Sequence, residues 1–196
     1  MGDIATVLYS ELEILHRVRE LGRDLSRFYA GKSPVLISVL KGGFVFLADL
    51  IRAMDVPARV DFMSISRYHS ASGTTGVVRV LKDLDQDIGG EDVLVVEDII
   101  DTGLTLSYLL TTLQAREPAS IEVCTLLDKS VRRIAPLHIR FTGFDCPDRF
   151  VVGYGLDVAE RYRNLPFILE VADQALLAED PSALDAFLPA STGDAR

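Results

Sequence analysis

Hydrophobic and polar positions change period several times along this chain, and each change marks an element. From Ser10 to Tyr29, apolar residues Leu12, Leu15, Val18, Leu21, Leu25 and Phe28 recur at three- and four-residue steps between acids and arginines. This spacing predicts an amphipathic packing helix. Gly31-Lys32-Ser33-Pro34 ends it, Val35 to Val39 reads as a buried strand, and a helical run spans Phe44 to Met54. Arg59 to Ile65 alternates, as a strand does, and Val77 to Leu81 predicts another. The intervening Ser66 to Gly76, rich in Ser, Thr and Gly, is expected to be a long flexible connection. Val93 to Val96, with three β-branched residues in four, fits a strand buried on both faces, followed by a helix with Leu106 to Leu113 as its apolar part. Ala119 to Leu127 and the short Phe150-Val151-Val152 predict two more strands, and the rest of Phe141 to Pro166 reads as loop. Strands alternating with helices predict an α/β fold built on a mainly parallel sheet.

The chemistry concentrates where the Val93 to Val96 strand gives way to its helix. Glu97, Asp98 and Asp101 put three carboxylates within five residues, and Thr102-Gly103-Leu104-Thr105 then makes a tight turn into the helix. Open α/β sheets place ligands at such strand ends. A helix start offers backbone N–H groups, hydroxyls and the positive end of the dipole, which together cradle a phosphate. Three carboxylates would repel a bare polyphosphate. Either Mg²⁺ bridges them, since it takes one or two carboxylates plus substrate oxygens, or they accept hydrogen bonds from sugar hydroxyls. Phosphate cradle and hydroxyl acceptors together describe a ribose 5-phosphate site. Leu40-Lys41-Gly42-Gly43 offers a second turn at a strand mouth, with glycines that let backbone approach a ligand and a lysine cation.

Composition narrows the partners. The 196 residues suit one domain, expected over 1–172, with 173–196 as a partly helical or frayed extension. A formal charge of −9 argues against nucleic acid or an anionic membrane as partner. No apolar run approaches the ~18–20 residues of a membrane span. The start Met1-Gly2-Asp3 lacks a basic signal-peptide region, so a cytoplasmic protein is expected. Cys124 and Cys146 lack metal-ligand spacing, and His16, His69 and His138 are scattered, which leaves a His-based metal site or triad without support.

Val93 to Thr105 resembles the phosphoribosyl-pyrophosphate (PRPP) signature of the type I phosphoribosyltransferases, and Leu40-Lys41-Gly42-Gly43 resembles the pyrophosphate loop of the 6-oxopurine members. Leu126-Leu127-Asp128-Lys129-Ser130, Phe150-Val151-Val152-Gly153-Tyr154-Gly155-Leu156-Asp157 and Glu160-Arg161-Tyr162-Arg163 extend the likeness to the hypoxanthine-guanine phosphoribosyltransferases, from about Val35 to Ile168 and in the same order.

The resemblance implies the type I fold, a mainly parallel twisted sheet flanked by helices, with a small hood and a flexible loop. It implies transfer of 5-phosphoribosyl from PRPP to hypoxanthine or guanine with Mg²⁺, in a homodimer or homotetramer. By position, Asp101 would carry the proton at purine N7. Lys41, Gly42 and Arg163 would hold pyrophosphate, and the Leu40–Lys41 peptide is often cis in the family. Glu97 and Asp98 would take the ribose hydroxyls directly or through Mg²⁺, and Asp157 would hold Mg²⁺. Thr102, Gly103, Leu104 and Thr105 would hold the 5-phosphate. Phe150 would stack on the purine, Val151 would meet its edge through main-chain atoms, and Lys129 would donate to O6. Tyr68 would belong to the loop that closes over the reacting centre, although Arg67 stands where the family pattern has Ser. The alternatives are a xanthine-preferring phosphoribosyltransferase and a PRPP-sensing regulator of the same fold.

Overall fold

The computed structural model describes residues 4–68, 77–180 and 182–188, and the chain divides into two compact units. The larger unit, His16–Asp148, is built on a six-stranded sheet. In chain order its strands are β2 (Val35–Leu40), β3 (Arg59–Tyr68), β4 (Val77–Lys82), β5 (Asp92–Ile100), β6 (Ser120–Asp128) and β7 (Phe141–Asp145), and their spatial order is β4-β3-β2-β5-β6-β7. All neighbours run parallel except β3 and β4. The predicted α/β class with a mainly parallel sheet is therefore observed. Helices α2 (Phe44–Arg52) and α3 (Leu104–Gln114) make the crossovers, α2 leading from β2 toward β3 and α3 from β5 to β6. The chain leaves β2 and β5 in opposite directions across the sheet, so the topological switch point lies between these two adjacent strands. Val35, Ile37, Val93 and Val95 from the two strands are buried in one core with Leu106, Leu109 and Leu113 of α3.

Helix α1 (Glu11–Phe28) lies where the periodicity places it, and its first turn is a capping box. The Ser10 backbone N–H donates to the Glu13 carboxylate at 2.8 Å, while the Glu13 N–H reaches the Ser10 hydroxyl at 3.4 Å. Its buried stripe differs from the expected one. Ile14, Val18, Leu21 and Leu25 are buried, whereas Leu12 is 77% exposed and Leu15 and Phe28 are also exposed. Two adjacent stripes share the three- and four-residue spacing, and the buried one is the stripe that includes Ile14.

Strand β5 runs four residues beyond Val96, because β6 continues to pair with it as far as Ile100 opposite Asp128. Glu97 and Asp98 are thus in the strand rather than after it. Strand β3 likewise extends through Ser66 and Arg67 to Tyr68, paired antiparallel with β4, so the expected loop is shorter at that end. Residues 69–76 of that loop lie outside the described residues.

The smaller unit comprises 1–15 and 149–196. Its antiparallel sheet has the order β1 (Ala5–Tyr9), β9 (Ile168–Val171), β8 (Phe150–Val152). Phe150-Val151-Val152 is a strand as predicted, though in this second sheet. Helix α4 (Gln174–Glu179) and a 3-10 turn at Asp185–Phe187 follow, burying Leu177 and Leu184 against Val152, Leu169 and Tyr162. Among the described residues, no helix is long and apolar enough to cross a membrane.

Candidate active site

Because β2, β5 and β6 are parallel, the turns that follow them share one edge of the large sheet. The first turn begins with a cis Leu40–Lys41 peptide and continues through Gly42 and Gly43 into α2. A β-carbon at Gly42 would overlap the Asp98 carboxylate, so glycine there lets the Lys41 turn lie directly on β5. Pairing of β2 with β5 ends at Ser38 opposite Val96. From Glu97 onward β5 faces this turn on its β2 side, while β6 continues to pair on the other.

The second turn, Asp101 to Gly103, joins β5 to α3. Gly103 has φ +79° and caps the helix, and Ser107 donates to its carbonyl at 2.8 Å. The amides before Ser107 therefore lie outside the helical ladder. The carbonyls of the same turn are taken up on the other side. Lys129 N–H donates to Ile100 O (2.9 Å), and the amides of Ile134 and Ala135 both reach Thr102 O (2.9 and 3.1 Å). The Ile100 and Thr102 carbonyls are thus committed to this brace, while the Leu104 amide reaches the Thr102 hydroxyl at 3.5 Å, the outer limit of a hydrogen bond. A cavity of about 260 Å³ opens beside it, lined by Glu97, Ile100, Asp101, Thr102, Gly103 and Thr105 among others.

Lys129 follows β6 on the same edge and is 7% exposed, a long cation in a largely dry setting. Glu97 is held well above the usual carboxylate range, first by burial and then by the neighbouring charge of Asp98. One Asp101 carboxylate oxygen is buried without a hydrogen bond, with Arg132 Nε 3.4 Å away in an ion pair. Arg132 also lies 3.6 Å from Asp148.

Apart from Tyr68 on β3, the remaining predicted residues lie in the smaller unit. Phe150 and Val151 are on β8, with Val151 buried and paired opposite Glu170. Arg163 pairs with Asp157 at 2.8 Å and Glu160 at 3.2 Å and donates to Gly155 O at 2.8 Å. The residues assigned to pyrophosphate and to metal thus hold one another. This segment is conformationally unusual. Tyr154, Ala159, Glu160 and Tyr162 all have positive φ, as do Gly153 and Gly155.

A phosphoribosyl transferase domain model matches residues 6–159. The chain is 52% identical over 173 residues to the hypoxanthine phosphoribosyltransferase of Salmonella typhimurium, covering 87% of this chain and 97% of the relative. It is 50% identical over 173 residues to the hypoxanthine-guanine phosphoribosyltransferase of Mycobacterium avium, covering 85% of each. A crystal structure of a hypoxanthine-guanine phosphoribosyltransferase from Bacillus anthracis superposes with a TM-score of 0.81 at 48% identity, over 85% of this chain and 98% of that one. The chain belongs to the phosphoribosyltransferase family.

Within this phosphoribosyltransferase, one sheet edge brings together Lys41, Gly42, Glu97, Asp98, Asp101 to Thr105 and Lys129, while Phe150, Val151, Asp157 and Arg163 share the smaller unit. Tyr68 ends β3, and the loop beyond it is outside the described residues. Sequence reasoning missed the brace from Lys129 to Ala135, which works through backbone amides and leaves no side-chain signature. It also missed Arg132, whose signal was the Arg132-Arg133 pair directly after the lysine turn. No cluster of three or more His, Cys, Asp or Glu able to chelate a metal exists among the described residues. Two adjacent strand carboxylates, one destabilised by the other's charge, still fit a Mg²⁺ ion that takes most of its oxygens from substrate.

Proposed function

We propose that this enzyme transfers the 5-phosphoribosyl group of PRPP to N9 of hypoxanthine or guanine, giving IMP or GMP and pyrophosphate. The observation that supports it is the shared edge of β2, β5 and β6, which gathers the Asp101 to Thr105 turn, the carboxylates of Glu97 and Asp98 and the buried Lys129. The names of relatives at 50–52% identity support the same reaction.

In this reading the amides of Gly103 to Thr105 and the hydroxyls of Thr102 and Thr105 hold the 5-phosphate at the positive end of α3. Glu97 and Asp98 accept from the ribose hydroxyls or from the metal. As the C1′–oxygen bond breaks, pyrophosphate leaves with the electron pair. Lys41, the Gly42 backbone and Arg163 meet the charge that develops there. Glu97, Asp98 or Asp157 would hold Mg²⁺, which would supply charge neutralisation for the departing pyrophosphate. The purine N9 lone pair closes the new bond to C1′, and Asp101 takes the proton released at N7. Phe150 stacks on the ring, Val151 meets its edge through main-chain atoms, and closure of the loop after Tyr68 excludes water.

Lys129 sets specificity. An ammonium has donors only, so it satisfies a 6-oxo group and opposes the amino group of adenine, and its burial sharpens that mismatch. The net charge of −9 and two buried cysteines outside any disulfide suit the cytoplasm, and a homodimer or homotetramer belongs to the same reading. Incubation with PRPP, Mg²⁺ and each of hypoxanthine, guanine, xanthine and adenine, with pyrophosphate release as readout, tests the assignment. Hypoxanthine and guanine should be consumed and adenine left. Consumption of adenine at a comparable rate would overturn the Lys129 reading, and preference for xanthine would move the substrate within the 6-oxopurines.

A further inference from the structure

Tyr162 sits between Arg161 and Arg163 in left-handed backbone, with φ +71°, a conformation that disfavours a bulky L-residue. Its surroundings hold it there. The ring is 3% exposed in the core of the smaller unit, packed with Leu165, Leu177 and Leu184. Its hydroxyl donates to an Asp185 carboxylate oxygen at 2.7 Å. Burial, and then Asp185, push the phenol up, so the hydroxyl remains a donor through the neutral range. Asp185 lies in the C-terminal extension, beyond the residues matched by the family model. Beside this contact a cavity of about 370 Å³ opens, lined by Glu160, Arg161, Arg163, Asn164 and Leu188 as well as the bonded pair. The arginine loop therefore borders open space on one side, where packing does not fix it.

We propose that Tyr162 and Asp185 form a tether by which the C-terminal extension positions Arg163 for pyrophosphate. The inference rests on the assignment of Arg163 to pyrophosphate given above. Tyr162 acts through its neighbour: the anchored ring fixes the left-handed turn, and the turn aims the guanidinium that Asp157 and the Gly155 carbonyl hold. Asp185 is a positioning residue at one further remove.

The test measures inhibition by Mg²⁺-pyrophosphate and KM for hypoxanthine in the full chain and in Y162F, D185A, D185N and R163A, each confirmed folded at the assay temperature by thermal melting. Y162F and D185A should each weaken pyrophosphate binding about five- to tenfold, less than the roughly 10- to 150-fold of a direct hydrogen bond to a charged group because the tether acts through a neighbour, and the Y162F/D185A double variant no further. D185N keeps an oxygen acceptor and should stay within about twofold of wild type. KM for hypoxanthine should move less than about twofold in Y162F, D185A and D185N, which separates aiming of Arg163 from general loosening. Pyrophosphate affinity unchanged in Y162F and D185A but lost in R163A would overturn the tether alone. Equal losses for pyrophosphate and hypoxanthine would overturn it as well. An R163A enzyme with normal pyrophosphate affinity would instead remove the Arg163 assignment on which the tether rests.

Discussion

Glu97 is the residue whose environment most opposes its expected charge. Burial and Asp98 raise its pKa in the folded chain above the unfolded value near 4.5. The sign follows from proton linkage: the folded state binds its proton more tightly than the unfolded one. The stability it contributes is full below pH 4.5 and is lost as pH rises through the folded value. Above that range an ionised Glu97 costs the ligand-free protein stability. Glu97→Gln should therefore melt higher than wild type at about pH 8, by some 2–4 °C for each kcal/mol relieved, and show no advantage near pH 4.5. Addition of PRPP and Mg²⁺ should stabilise wild type more than the variant, because the charge removed is the one proposed to bind. Paired melting curves at the two pH values decide it, and a variant less stable at pH 8 would mean the acid is already compensated. Asp101 makes a different prediction. Asp101→Asn keeps the shape of the turn but cannot take a proton, so kcat should fall about 10²–10⁴-fold while the Kd of PRPP changes little. Equal loss of both, in steady-state rates and direct PRPP binding, would make it a structural residue of the loop.

At the scale of elements, the β5–α3 turn joins two requirements in Gly103. Its φ of +79° disfavours any β-carbon, and a β-carbon there would also meet Leu137 Cδ1 at 2.6 Å and Arg133 Cδ at 3.0 Å. Gly31 provides a control, with φ +77° and nothing within 4 Å. Gly31→Ala should cost about 1–2 kcal/mol from conformation alone and leave kinetics intact. Gly103→Ala should cost more and raise KM for PRPP about tenfold or more, because the Leu137 and Arg133 side chains must move aside to admit the methyl and Arg133 lies within the brace that orients the turn. Thermal melting with initial-rate kinetics separates the two, and parallel behaviour would remove the special role of the brace. The turn itself was legible because Thr102-Gly103-Leu104-Thr105 is local chemistry following a hydrophobic run. The extent of β5 was not, because its last four residues include Glu97 and Asp98 and are held by pairing with β6 rather than by apolar pattern. Strand β7 went unread for a related reason. Gly143 weakens its pattern, yet a β-carbon there would run into the Leu126 backbone, so the glycine follows from the pairing. Strand β1 pairs with β9 more than 150 residues away, from Ala5 to Val171, and local periodicity carries no trace of such a partner.

For the whole molecule, the open question is whether the C-terminal extension is an appendage or part of the fold. The sequence suggested an appendage, because 173–196 lies beyond the span of the family resemblance and its last residues, Ala190 to Arg196, are small and polar. Packing favours the other reading: Leu177 is 2% exposed and Leu184 fully buried, in one cluster with Val152, Tyr162, Leu165 and Leu169. Asp173 also caps α4, its carboxylate accepting from the Leu176 amide at 3.0 Å. Burial of two leucines contributes about 3–6 kcal/mol at ~1.5–3 each. That is a large share of the ~5–15 kcal/mol by which a domain is stable. A chain ended after Ala172 should therefore melt at least ~6 °C lower, and more as the newly exposed cluster loosens. A chain ended after Leu188, which lacks only the small, polar Pro189–Arg196 segment, should melt as the full chain does. Leu184→Ala is the finer probe, expected to cost about 2–5 kcal/mol. If the short chain and Leu184→Ala both melt within about 1 °C of wild type, the extension covers the smaller unit without stabilising it.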